Sequence, residues 1–168
     1  MRGWKLAAIV AAALAVVAVA QAGTRSGGGG TVNAAHNAKF GSLLVNAGGM
    51  TLYHYTAEKR GSIACTGACT QLWPPVLVKT KPIAGAGIVA GKLSTIKRPD
   101  GTKQVTYAGF ALYRYAADKK AGDVKGQGVE GAWFAVTSAG TLAKAKTPVS
   151  NPTPPPTTTN GGYGGYGP

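Results

Sequence analysis

The chain has 168 residues and is strongly basic, with 18 Lys+Arg against 5 Asp+Glu and a net charge of +13. Such a field attracts anionic partners and carries no information about fold. With His36 and His54 its only histidines and few carboxylates, the chain gives little support to acid–base or hydrolytic catalysis.

Arg2 and Lys5 precede an apolar run over residues 6–20, and Ala20-Gln21-Ala22 supplies small residues for cleavage. That layout is a secretory signal peptide. The run is shorter than the roughly 20 apolar residues that a membrane-spanning helix needs. Cleavage after Ala22 leaves 16 Lys+Arg against 5 Asp+Glu, a net +11. No later segment is apolar enough to cross a membrane, and no cysteine stands near the cleavage point to accept a lipid. The expectation is a secreted or cell-envelope protein, not lipid-anchored, with no transmembrane segment once the signal is removed.

Composition then divides the chain. Residues 23–39 contain Ser26-Gly27-Gly28-Gly29-Gly30 and read as a flexible Gly-rich spacer that includes His36. Residues 144–168 combine a Pro/Thr-rich, polyproline-like stalk with a Gly/Tyr-rich tail that cannot build a core. The foldable part is residues 40–143.

Within it the sequence repeats itself. Gly48-Gly49-Met50-Thr51-Leu52-Tyr53-His54-Tyr55-Thr56-Ala57-Glu58-Lys59 aligns without gaps on Ala108-Gly109-Phe110-Ala111-Leu112-Tyr113-Arg114-Tyr115-Ala116-Ala117-Asp118-Lys119, an offset of 60 residues. The same offset sets Val45 on Val105, Trp73 on Trp133 and Val76 on Val136. Repeat 1 covers about 42–79 and repeat 2 about 102–139, each needing the other to close a core.

Both copies read as strand. Residues 42–47 and 51–56 flank Gly48-Gly49, a hairpin signal. Lys103, Val105 and Tyr107 alternate with Gln104 and Thr106, the two-residue period of a half-buried strand. Arg98-Pro99-Asp100-Gly101 is a turn, across which a strand over residues 92–97 pairs and links the copies. Residues 132–138 form another strand, and no sustained helical period occurs. Tyr53 and Tyr55 share one strand face, with Leu52 and His54 on the other; Tyr113 and Tyr115 repeat the first face. The fold class is all-β: a small antiparallel β domain of two tandem repeats with disordered N- and C-terminal arms.

The motif Leu-Tyr-x-Tyr-x-x-acid, repeated, with Cys65-Thr66-Gly67-Ala68-Cys69 and Leu72-Trp73-Pro74-Pro75 between the copies, resembles the bacterial secreted-repeat family of predicted lipoproteins. Its mark is Tyr-x-(Phe/Trp/Tyr)-x-x-Asp, and the resemblance covers residues 43–140. It implies a secreted or envelope location and no established activity, cofactor or catalytic residue. The repeat-motif positions are Tyr53, Tyr55, Glu58, Tyr113, Tyr115 and Asp118, with Trp73 and Trp133. Two departures stand out: Glu58 replaces aspartate, which questions a strict geometric role for that carboxylate, and no lipid-acceptor cysteine follows the signal.

Chemistry is sparse. Cys65 and Cys69 are the only cysteines, and in an exported chain a close pair is expected to oxidise. Closing so short a loop stabilises by about 2 kcal/mol in the entropy model. The alternatives are a soft-metal site of copper type, with His54 as third ligand, or a thiol-redox centre. The tyrosines and the Trp73/Trp133 pair read as core fillers, an aromatic ligand platform being the sharper alternative. Residues 122–131 lack the Gly-Lys-Ser/Thr ending of a phosphate loop and read as a glycine-rich surface loop. Glu58 and Asp118 pair by repeat symmetry, and their expected role is to end the motif strand in a turn.

The leading reading is therefore a non-enzymatic envelope-associated or extracellular binding or scaffold module, without a cofactor. The basic residues, scattered from Arg25 to Lys146, read as a solvated surface suited to anionic cell-envelope polymers and to no specific nucleic acid. A metal-binding or redox protein is the second reading, and a secreted enzyme the third.

Overall fold

A computed structural model describes residues 30–144; the expected signal peptide, most of the expected spacer, and the expected stalk and tail lie outside the described residues. The order is β1 (Thr31–Asn37), β2 (Gly41–Asn46), β3 (Tyr53–Tyr55), a single helical turn α1 (Cys69–Leu72), β4 (Leu77–Val78), β5 (Ile83–Ala84), β6 (Leu93–Lys97), β7 (Lys103–Tyr107), β8 (Phe110–Ala111) and β9 (Trp133–Ala135). Short 3-10 turns at Ala90–Lys92 and Val129–Gly131 precede β6 and β9. Pairing is antiparallel throughout except where β5 lies parallel to β1.

The strand β1 corrects the expected spacer. Thr31–Asn37 is not a linker: it runs antiparallel to β2 from Val32 to Asn37, with Val32 fully buried and His36 opposite Ser42. It is the counterpart of β6, which pairs with β7 across Arg98-Pro99-Asp100-Gly101 as the turn chemistry requires. Each repeat therefore begins one strand earlier than residues 42 and 102.

A second correction concerns register. Leu44 N–H donates to the Val136 carbonyl and Val105 N–H to the Val76 carbonyl, so Leu44 and Val105 are equivalent, not Val45 and Val105. The offset there is 61 (Leu44 to Val105), whereas Tyr53 and Tyr113 keep 60. The hairpin loops account for the slip. In repeat 1 residues 47–49 close the turn from Asn46 to Met50, with Gly49 at φ 75°. In repeat 2 only Ala108 and Gly109 do so, both at positive φ, the conformation of a two-residue primed turn.

Strand alternation places core on both faces. Leu43, Tyr53, Ala111, Tyr113 and Ala135 point into one cluster with Cys65, Trp73 and Trp133. Their neighbours Leu44, Leu52, Leu112 and Val136 point into the other, with Val32, Val76, Val105 and Tyr107. The repeats are intertwined: Val76 N–H donates to the Leu112 carbonyl, and Val136 N–H to the Leu52 carbonyl. Likewise Thr56 N–H reaches the Ala132 carbonyl and Ala116 N–H the Leu72 carbonyl.

The glycine-rich stretch 122–131 is more than a surface loop, because Gly126 is buried at its centre. A Cβ there would sit 2.9 Å from the Tyr53 ring and 3.0 Å from that of Trp73. Gly126→Ala is accordingly expected to destabilise by about 1–3 kcal/mol through overpacking. Gly91→Ala, where a Cβ meets nothing within 4 Å, should stay within roughly 0.5 kcal/mol of the native chain. Urea unfolding midpoints of the two variants check this.

Candidate functional site

The motif residues of the two repeats meet at the centre of the molecule. Tyr53 N–H donates to the Tyr113 carbonyl at 2.8 Å, and Tyr113 N–H to the Tyr53 carbonyl at 2.9 Å. This reciprocal pair places a pseudo-twofold axis between the two motif strands. The side chains follow the same rule. Tyr53 hydroxyl donates to Asp118 Oδ2 at 2.7 Å, and Tyr113 hydroxyl to Glu58 Oε1 at 2.6 Å. Each repeat supplies the acid for the other repeat's tyrosine.

Each carboxylate also gathers its own loop. Asp118 Oδ1 accepts from Lys125 N–H at 3.0 Å. Glu58 Oε1 accepts from Ala64 N–H at 2.8 Å and Cys65 N–H at 3.0 Å. The backbone turns expected after the motif strands are present, with Glu58 N–H on the Tyr55 carbonyl and Asp118 N–H on that of Tyr115. The cross-repeat role of the side chains comes in addition. Glutamate fills the aspartate position by bringing three donors to one oxygen, leaving Oε2 buried without a hydrogen bond. Burial, reinforced by the neighbouring carboxylate, drives the Tyr53 and Tyr113 phenols well above the usual tyrosine range.

The aromatic rings form a column across the same axis. Trp73 and Trp133 stack with centroids 3.8 Å apart and planes 3° from parallel. Tyr55 stacks on the far side of Trp133 at 4.6 Å, and Tyr115 on the far side of Trp73 at 4.3 Å. Tyr53 and Tyr113 meet the tryptophans edge-on. Both tryptophans are buried, so the column is core, and only the half-buried Tyr55 and Tyr115 at its ends reach the surface.

Cys65 and Cys69 are joined in a disulfide with Cα atoms 5.4 Å apart. It stands where the second repeat has Lys125 and Val129. His54 has other partners: its Nδ1 lies 3.1 Å from the Ala111 carbonyl, its ring packs on Phe110, and Glu58 Oε2 stands 4.0 Å away. Burial lowers the His54 pKa below its ordinary value; the bond to the Ala111 carbonyl and the charge of Glu58 oppose that shift.

Sequence reasoning placed Arg98 only in a turn, yet its side chain is buried. Arg98 Nη1 donates to Gln104 Oε1, and Nη2 to the Cys65 carbonyl at 2.8 Å, while Gln104 Nε2 donates to the Leu112 carbonyl. The second repeat thus clamps the disulfide loop of the first. No periodicity marks this residue, because a charged side chain at a turn is ordinarily solvated.

A surface cleft of about 780 Å³ lies against residues 77–83. Its wall includes Leu77 and Ile83, both exposed, and its rim Lys79, Lys81 and Lys103; no acidic residue lines it.

Residues 34–77 and 94–137, together more than half of the chain, each match the model of a family described as a secreted repeat of unknown function. Neither the curated proteins nor the solved structures contain a match. The matched stretches begin within β1 and β6, in agreement with the earlier start of each repeat.

Two expectations follow from the centre. Tyr53→Phe and Tyr113→Phe should each cost about 1–3 kcal/mol, because each removes a donor from a buried carboxylate. Measured by urea unfolding, the two losses should be similar. The second expectation concerns pH. Folding depresses the His54 pKa, so above the unfolded value of 6.5 the ring is neutral in both states. As pH falls below 6.5 the unfolded chain takes up the proton first and stability is lost. His54→Gln should lose less stability than the native chain between about pH 7 and pH 5.

Proposed function

The chain belongs to the family of secreted repeats of unknown function, and from that premise we propose that it is a non-enzymatic module that adheres to anionic polymers of the cell envelope. The observation that supports this reading is the cleft beside residues 77–83. It combines exposed apolar wall, Leu77 and Ile83, with a rim of Lys79, Lys81 and Lys103 and no acid. A carboxylate- or phosphate-bearing polymer finds there a cationic rim and an apolar surface for its backbone. The aromatic centre, by contrast, serves cohesion: its tryptophans and motif carboxylates are buried. A thiol-redox or copper-binding role for Cys65 and Cys69 would require the disulfide to open and the buried Cys65 to reach a partner.

The test is retention on isolated envelope fractions washed with rising sodium chloride. Exposed charges act over only about 8–10 Å at ordinary ionic strength, so the bound chain should elute as salt increases. Replacing Lys79, Lys81 and Lys103 together by Ala should shift elution to lower salt. A chain truncated before Asn151 should elute like the intact one. Retention that survives high salt and needs the tail would move adhesion to residues 161–168, and failure of every form to bind would sink the reading.

A further inference from the structure

Duplication makes each repeat a control for the other, and one sheet edge differs between them. In the first repeat the outer edge of β1 is filled. The Val32 carbonyl accepts from Gly85 N–H at 2.8 Å, and Ala34 N–H donates to the Ala86 carbonyl at 2.8 Å. Ile83 N–H adds a bond to the Gly30 carbonyl, so this segment lies along β1 as a short parallel strand.

The counterparts of Val32 and Ala34, displaced by the 61 of that part of the repeat, are Leu93 and Thr95 in β6. Their alternation is fixed by the bonds at either end of the β6–β7 pair, Ala108 N–H to the Lys92 carbonyl and Arg98 N–H to the Thr102 carbonyl. Residues 94 and 96 therefore face β7, and the Leu93 carbonyl and Thr95 N–H point the other way. The sheet order β4-β7-β6 ends at that edge, and among the described residues neither group has a hydrogen-bond partner. Thr95 is only partly buried and Ser94 is exposed.

Two hollows flank the open edge. One, of about 720 Å³, includes Leu93, Thr95, Pro82, Lys81 and Lys103 in its lining; the other, of about 550 Å³, includes Ile96, Thr106, Arg60 and Lys92. Neither is lined by an acid, and Lys97 stands at the end of the strand. Basic residues on an edge repel a like-charged second copy of it, but they complement an acidic chain.

We propose that the open edge of β6 receives an extended acidic peptide, which joins the sheet as a parallel strand through the Leu93 carbonyl and the Thr95 N–H. The first repeat shows the geometry that such a strand takes, with its own residues 83–86. Main-chain bonds supply the affinity, and the flanking cations select acidic side chains. Lys81 and Lys103 also border the adhesive cleft, but the edge bonds are independent of polymer adhesion.

The probe is the synthetic peptide acetyl-Glu-Ile-Ala-Gly-Ala-Glu-amide, added to the isotope-labelled full chain while amide exchange is followed residue by residue. The Thr95 amide should exchange freely without peptide and be slowed about tenfold or more at saturation, the measure of one net main-chain hydrogen bond. Thr95→Pro removes the outward N–H without touching a bond to β7 and should lose peptide binding, whereas Thr95→Ala should keep it. Should Thr95→Pro fail to fold, the exchange data and Thr95→Ala still decide. Thr95→Pro should retain salt-sensitive adhesion to envelope fractions, which separates this site from the cleft. The proposal is overturned if the peptide leaves the Thr95 amide unprotected, if Thr95→Pro binds it undiminished, or if a glutamine version binds equally well. Protection already present in the full chain, and lost when residues 145–168 are removed, would assign the edge to the chain's own tail instead. Protection by an anionic polysaccharide but not by the peptide would likewise replace the peptide as partner.

Discussion

The exchange of hydrogen bonds between Tyr53 and Asp118, and between Tyr113 and Glu58, governs the molecule. A buried carboxylate is costly unless donors surround it. Here each one finds its phenol only in the other repeat and its backbone donors only in its own loop. The two requirements are met together, when the repeats lie about one axis with the loops folded over the tyrosines. The Trp73–Trp133 stack then falls on that axis, and the flanking Tyr55 and Tyr115 close the column. Sequence motif, strand pairing and aromatic core are three expressions of one constraint.

Around this symmetric centre the halves have diverged. The first loop is fastened by the Cys65–Cys69 disulfide and by the Arg98 guanidinium on the Cys65 carbonyl. The second loop has neither and is held by Gln127, whose side chain accepts from Ala135 N–H and donates to the Ala143 carbonyl. The first hairpin is one residue longer, and the first edge is covered where the second is open. Divergence thus lies in loops and edges, where binding functions are ordinarily carried.

What could be read from the sequence was what repeats locally. The two-residue alternation of Leu52-Tyr53-His54-Tyr55 and its copy separated the two core clusters correctly, and Arg98-Pro99-Asp100-Gly101 marked the β6–β7 turn. The strand Thr31–Asn37 was hidden, because a glycine run precedes it and Val32 is its only large apolar residue. The duplication itself could have placed it, since β6 has to have a counterpart upstream. The register slip arose because a gapless motif match was carried through a hairpin of different length. Partner choice was illegible: Glu58 and Asp118 could be seen to correspond, but not that each serves the opposite tyrosine. Nor could local patterning reveal the burial of Arg98, which depends on a carbonyl 33 residues away.

The interweaving of the repeats also bears on how the chain comes to be folded. Thr56 is bonded to Ala132 across 76 residues, and β3 has its partner in β9. Contacts of such sequence separation form late, since the loop between them must first be closed. The first repeat has no complete core until the second has emerged beside it. For a chain of this secreted-repeat family, that delay means that the leading half has no closed core while the trailing half is still being made.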